Sequence, residues 1–243
     1  MQRTLYRTYG RLKHNESGLA MVEFAMSLPF FLGLTIGGVE IANYASVVMQ
    51  LNQIALHTAD GAARIGTSTP NGPKTISEAQ IKDVFQGALR EGDRIKAGGT
   101  HTYIDPATGQ SSTRRNTMII LSSLEEVAAF DPTNPRYRIR WQRCEGGATY
   151  YASSYGTVST GTSITGMGPA GRQISPPPGG SIAFVELQYY FRPMFVNGFT
   201  RLTDRTISAV ASMVVRDRRQ VVSGGSSGID NVENVTAATC PWA

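Results

Sequence analysis

The longest apolar stretch in the chain runs from Leu19 to Ala42 and is broken only by Glu23 and Glu40. No side chain between Phe24 and Val39 is charged. About 20 helical residues, rising 1.5 Å each, cross the roughly 30 Å hydrocarbon core of a bilayer. The two acids stand near the ends of that span, where a carboxylate costs least. Beyond it the apolar pattern narrows to a stripe. Val47, Leu51, Ile54, Ala55, Thr58 and Ala62 recur at spacings of three and four, with Asn52, Gln53, His57 and Asp60 largely on other faces. The pattern predicts one helix from about Leu19 to Ile65, stopped by Gly66 and the Thr67-Ser-Thr-Pro-Asn-Gly-Pro73 turn. Such a helix is about 70 Å long, and roughly half of it extends past a membrane. Pro29 and the Gly37-Gly38 pair are tolerated in a spanning helix and are places for a kink.

A second, amphipathic helix is predicted over residues 76–90, with Ser77 as its N-cap and Gln80 three residues on. Strand signals dominate afterwards. Residues 117–121 are β-rich, and 137–142 alternate, with Tyr137, Ile139 and Trp141 on one face and Arg138 and Arg140 on the other. Residues 183–191 and 207–215 alternate in the same way. Long strands joined by long loops predict an antiparallel sheet packed on helix, an α+β arrangement. Residues 145–180, rich in Gly, Ser and Thr and ending in a Pro-Pro-Pro-Gly-Gly run, read as an exposed, flexible loop. Residues 223–239 are similarly polar.

Charge adds an orientation. The 243 residues carry a formal charge of +5, but Arg3, Arg7, Arg11 and Lys13 precede the apolar stretch against Glu16 alone. The body is therefore close to neutral, which argues against a nucleic-acid partner. The first Lys or Arg after the stretch is Arg64, so the positive-inside rule keeps the N-terminus in the cytoplasm and sends the rest across. The expected organisation is a basic cytoplasmic leader at 1–18, a transmembrane and projecting helix at 19–66, and an exported α+β domain at 67–243. Cys144 and Cys240 both fall in the exported part, where thiols are oxidised and a disulfide is a candidate pairing.

Catalytic and cofactor signals are weak. Gly166-Met-Gly-Pro-Ala-Gly171 has a dinucleotide-type spacing, but neither a strand before it nor a helix after it is predicted. Gly224-Gly-Ser226-Ser-Gly228 has a nucleophile-elbow spacing, yet the last histidine is His101, upstream of the serine. His14, His57 and His101 are dispersed, and no cluster has metal-ligand spacing. Glu125-Glu126 reads as a solvated turn, the strand arginines as a solvated stripe, and Glu40 as a helix-boundary acid. No cofactor, metal or catalytic residue is expected, and the chain does not read as an enzyme.

The segment Glu16-Ser-Gly-Leu-Ala-Met-Val-Glu-Phe-Ala-Met-Ser-Leu-Pro-Phe-Phe-Leu-Gly-Leu34 resembles the N-terminus of TadE/TadG-like proteins of the tight-adherence (Flp) pilus. The likeness continues through Gly38-Val-Glu-Ile41 and closes at Asp60-Gly-Ala-Ala-Arg-Ile-Gly66; Tyr189-Tyr-Phe-Arg-Pro-Met-Phe195 and Met213-Val-Val-Arg-Asp-Arg-Arg219 are fainter echoes. The resemblance implies a type IV pilin-like route, with a peptidase cut after Gly18, Leu19 as the new N-terminus and Glu23 as the acid facing it. A buried amine needs a counter-charge, and Glu23 is one helical turn from Leu19. Glu16, just before the site, departs from a strict leader. The implied role is that of a minor pilin or pseudopilin with a pilin-like fold, anchored once in the inner membrane with its domain in the periplasm. Its implied partners are a prepilin peptidase, the major Flp pilin, other TadE-like subunits, the inner-membrane assembly platform and the lipid bilayer. Gly33, Gly37 and Gly38 would admit a close neighbouring helix. A membrane-tethered periplasmic binding or adhesion module outside any filament is the alternative.

Overall fold

A computed structural model describes residues 17–69, 72–127, 130–195, 204–216 and 228–242. The chain is α+β. Helix α1 (Ser17–Arg64) is unbroken for 48 residues despite Pro29. On either side of that proline, Ser27 and Thr35 turn their hydroxyls back on the carbonyls of Phe24 and Phe31, as hydroxyl side chains do within helices. The helix ends where Gly66 takes φ +131°, a conformation that side chains rarely adopt.

The described residues divide into two compact units. The first draws on the described residues up to Ala45 with residues 193–195; the second on those from Ser46 to Arg192 and from Asp204 onward. In the second unit the C-terminal half of α1 buries Leu51, Ile54, Ala55, Ala59 and Ala62. Strands β1 (Thr67–Thr69) and β2 (Gly72–Ser77) lead into α2 (Glu78–Glu91), where the pattern predicts residues 76–90. The helix starts as it does because Ser77 and Gln80 form a reciprocal capping box. Gly61 lies against Val84, and Gly92, in the 3-10 turn after α2, lies against Ile54, which brings α2 close to α1.

The main sheet is antiparallel, with strands β5 (Thr117–Glu126), β6 (Tyr137–Glu145), β7 (Ser181–Phe191) and β8 (Arg205–Val215) in the order β6-β5-β7-β8. An exposed hairpin, β3 (Thr100–Ile104) with β4 (Ser111–Arg115), precedes it and was not evident in the hydrophobic pattern. The short β9 (Ile229–Asp230) pairs in parallel with β2.

One face of the sheet meets the helices. Arg143 reaches Glu78 at the start of α2, and Tyr189 donates its hydroxyl to Ile95 O at 2.6 Å. The other face is where the structure departs from the expected loop. Met167, Tyr155 and Ile164 of the 145–180 segment pack on Leu124, Ile139, Ile182 and Phe184. Ala148 and Cys240 pack on Met118 and Ile120. The segment thus lies over a second apolar sheet face with its inner residues, while its outer residues stay exposed as expected. Its backbone is tied down by the Tyr137–Ile164 and Met167–Ile174 bridges. A bulge also corrects the predicted alternation of β6. Ile139 pairs with Leu124 but Trp141 with Ser123, so Arg140 is the extra residue and Trp141 lies on the face opposite Ile139.

Candidate functional site

The N-terminal half of α1 presents its apolar side chains outward. Leu19, Met21, Phe24, Met26, Phe30 and Phe31 are each more than half exposed. No residue in the most apolar part of this helix is buried, and the helix is long and apolar enough to cross a membrane once. Gly18, Leu19 and Glu23 are exposed, and Glu23 makes no hydrogen bond or ion pair among the described residues. The i, i+4 spacing sets Leu19 and Glu23 on one helix face. A methyl group at Gly18, Gly37 or Gly38 would meet nothing within 4 Å among the described residues. Gly33 is half-buried. The basic leader, His14 and Ser226 lie outside the described residues.

Glu40, expected as a helix-boundary acid, is instead built into the fold. It is fully buried, and its carboxylate accepts the backbone N–H of Met194 at 3.0 and 3.2 Å and of Phe195 at 3.2 Å. Asn43 Nδ2 lies 3.5 Å away. Pro193 has no N–H, so Met194 and Phe195 carry the first amides after Arg192 that can donate. Sequence reading placed the acid at the end of the span but had no signal for a partner 154 residues downstream.

Among the described residues the second unit buries three more carboxylates, and each has partners. Glu125 sits in β5, not in a turn, and accepts from Arg138 at 2.7 Å and Arg140 at 3.1 Å. Glu78 is clamped by Arg143 through Nε and Nη2. The strand arginines therefore serve buried acids and do not form a solvated stripe. Glu186 accepts from Ser153 Oγ at 3.0 Å, Ser154 N at 2.9 Å and Gln188 Nε2 at 2.7 Å, which holds the covering segment to β7. These contacts tie each carboxylate to a neighbouring strand or segment. His57 pairs with Glu91 at 2.8 Å on the α1–α2 surface. Among the described residues no three His, Cys, Asp or Glu side chains gather as a metal site. Gly166–Gly171 lies in a loop closed by the Met167–Ile174 bridge, with no helix behind it.

An aromatic patch joins the β3–β4 hairpin to the end of β7. His101 stacks on Tyr190 with ring centroids 3.7 Å apart, and Arg114 lies 3.4 Å above the Tyr103 ring. Tyr150 adds its ring beside Tyr151 and donates to Arg115 O at 2.7 Å. Burial, and then the hydrogen bond to Asp204, push the Tyr190 phenol up to about 12. Burial also raises Tyr150 and Tyr189. Scattered tyrosines and one histidine in the sequence gave no sign of this convergence. At the far end of β6, Cys144 and Cys240 are joined by a disulfide that closes a 96-residue separation.

No family model, curated protein or solved structure matches the chain.

Proposed function

We propose that this protein is a membrane-anchored, pilin-like subunit that assists assembly of a tight-adherence pilus. The observation that carries the reading is the outward-facing apolar half of α1, with Glu23 one turn from Leu19 and no partner for it among the described residues. An acid left open at the edge of hydrocarbon suits an amine created by a cut after Gly18, on its own chain or on a neighbour. The basic leader supports a cytoplasmic N-terminus. The Cys144–Cys240 bond supports an oxidising compartment, here the periplasm, for the second unit. The open sides of Gly37 and Gly38 favour helix–helix approach in the bilayer, with the major pilin, other TadE-like subunits or the assembly platform. A pilin-like domain would lay an antiparallel sheet against the projecting half of its first helix, and the buried stripe of α1 and the four-stranded antiparallel sheet in the second unit support that reading.

A second reading, a tethered binding or adhesion module, is favoured by the aromatic patch around His101, Tyr103 and Tyr190. Glu23→Ala separates the two. An assembling subunit loses surface pili while its membrane content stays normal; a tether keeps its localisation and activity. Terminal sequencing of protein from its native membrane should begin at Leu19. A chain beginning near residue 45 instead would mark ordinary secretion and defeat the pilin reading.

A further inference from the structure

We infer that Met194 and Phe195 form a second lipid contact at the outer surface of the bilayer, held there by Glu40. The inference rests on the reading of α1 as a membrane span. Glu40 lies 21 residues after Leu19, about 31 Å along a helix, which is the thickness of the hydrocarbon core. With Leu19 at the inner edge, Glu40 therefore stands at the outer one. At this level the helix exposes Val39 and Ile41, and the two residues clasped by Glu40 expose their own side chains, Met194 at 65% and Phe195 at 44%. The apolar surface of the span thus continues onto a piece of chain distant in sequence but within the same compact unit.

The chemistry of the clasp fits that depth. A turn following Pro193 has backbone N–H groups that need acceptors wherever water is scarce. Glu40 supplies two carboxylate oxygens to three N–H···O contacts of 3.0–3.2 Å, and hydrogen bonds to a charged acceptor are the stronger kind. The acid and the amides satisfy each other, so neither has to be hydrated when the turn sits at the headgroup boundary. Met and Phe then bury apolar area among the upper acyl carbons, as interfacial anchors do. The occupant is the bilayer itself: Val39 and Ile41 on the helix are already at its surface.

Tryptophan reporters in the full chain test this. Phe195→Trp and Leu32→Trp variants are reconstituted into phosphatidylcholine–phosphatidylglycerol vesicles containing lipids brominated either near the headgroup or near the chain ends. The signal from Trp141 and Trp242 is subtracted with the unsubstituted protein. The reporter at 195 should be blue-shifted and quenched most by headgroup-proximal bromine, and the reporter at 32 by deep bromine. Adding Glu40→Ala should abolish quenching at 195 and leave quenching at 32 unchanged. A reporter at 32 that is not quenched defeats the span reading itself. Quenching at 32 with none at 195, or quenching at 195 that survives Glu40→Ala, overturns the inference and leaves the span standing.

Discussion

The two halves of α1 share a backbone and an apolar composition, yet their side chains have different surroundings. Before Ala45, large residues point in every direction: Phe24, Phe30 and Leu32 are all at least half exposed. After Ser46, the apolar residues narrow to one stripe, and Leu51, Ile54, Ala55 and Ala62 are buried to within 1%. A helix that is apolar all round has to be surrounded by something apolar, whereas a striped helix needs cover on one side only. In the second half the stripe is buried in the folded unit, where α2 lies alongside. On the proposed reading, the apolar surroundings of the first half are lipid or neighbouring helices. The transition is read from where polar residues return, at Asn43, Gln50 and Asn52.

The sharpest way to break this contrast is a charge in each half. Leu51→Asp buries an unpaired carboxylate in the folded unit, which costs more than about 4 kcal/mol and leaves it largely unfolded. Limited proteolysis and the denaturation midpoint in detergent should both show the loss. Leu32→Asp should leave that midpoint unchanged and instead reduce membrane insertion, since an acid at the centre of a span costs about 2.5–3.5 kcal/mol. Equal loss of midpoint in the two variants would mean that the halves do not differ.

The next effect sharpens the same division from the other end of the chain. The Cys144–Cys240 bond lies wholly in the second unit and closes a 96-residue separation. Removing both thiols as Cys144→Ala with Cys240→Ala should lower stability by about 4.5 kcal/mol in the chain-entropy picture. The loss should appear as a lower urea midpoint, with membrane insertion of α1 unaltered. A midpoint within error of the parent protein would show that the unfolded chain is already restrained there.

Local signals made part of this fold legible. The Ser77–Gln80 capping box fixed the start of α2, and clean alternation fixed β7 and β8. The bulge in β6 was not legible, because a single inserted residue leaves the polar and apolar letters alternating while Trp141 changes face. Residues 145–180 misled for a related reason. Their Gly, Ser and Pro content reports a backbone without regular structure, but not whether that backbone lies on a sheet. The signal was in the sheet: Ile120, Leu124, Ile182 and Phe184 make the second face of β5 and β7 apolar as well, so it needed a cover. Of the candidate site, the long apolar helix and its two acids could be placed from sequence. The clasp between Glu40 and the Met194–Phe195 amides could not, because backbone donors leave no mark in the side-chain pattern.

The smallest expected effect is a titration confined to the second unit. The Tyr190 phenol stacks on His101 and donates to Asp204, and burial is the first cause of its rise from 10.0 to about 12. The folded state therefore favours the neutral phenol. For a group whose folded value is raised, the stabilisation is fully present below the unfolded value and is lost as pH rises through the folded one. Denaturation midpoints of the parent protein should hold up to pH about 10 and then fall more steeply towards pH about 12 than those of Tyr190→Phe, which has no proton to lose. The hydrogen bond to Asp204 lies on the exposed side of the ring, so screening keeps the difference small. Because the effect originates in the second unit, insertion of α1 into vesicles should be the same for both proteins across this range. Parallel midpoint curves would show that the Asp204 contact does not hold the proton on Tyr190, and the patch would then be a stack of rings without an electrostatic lock.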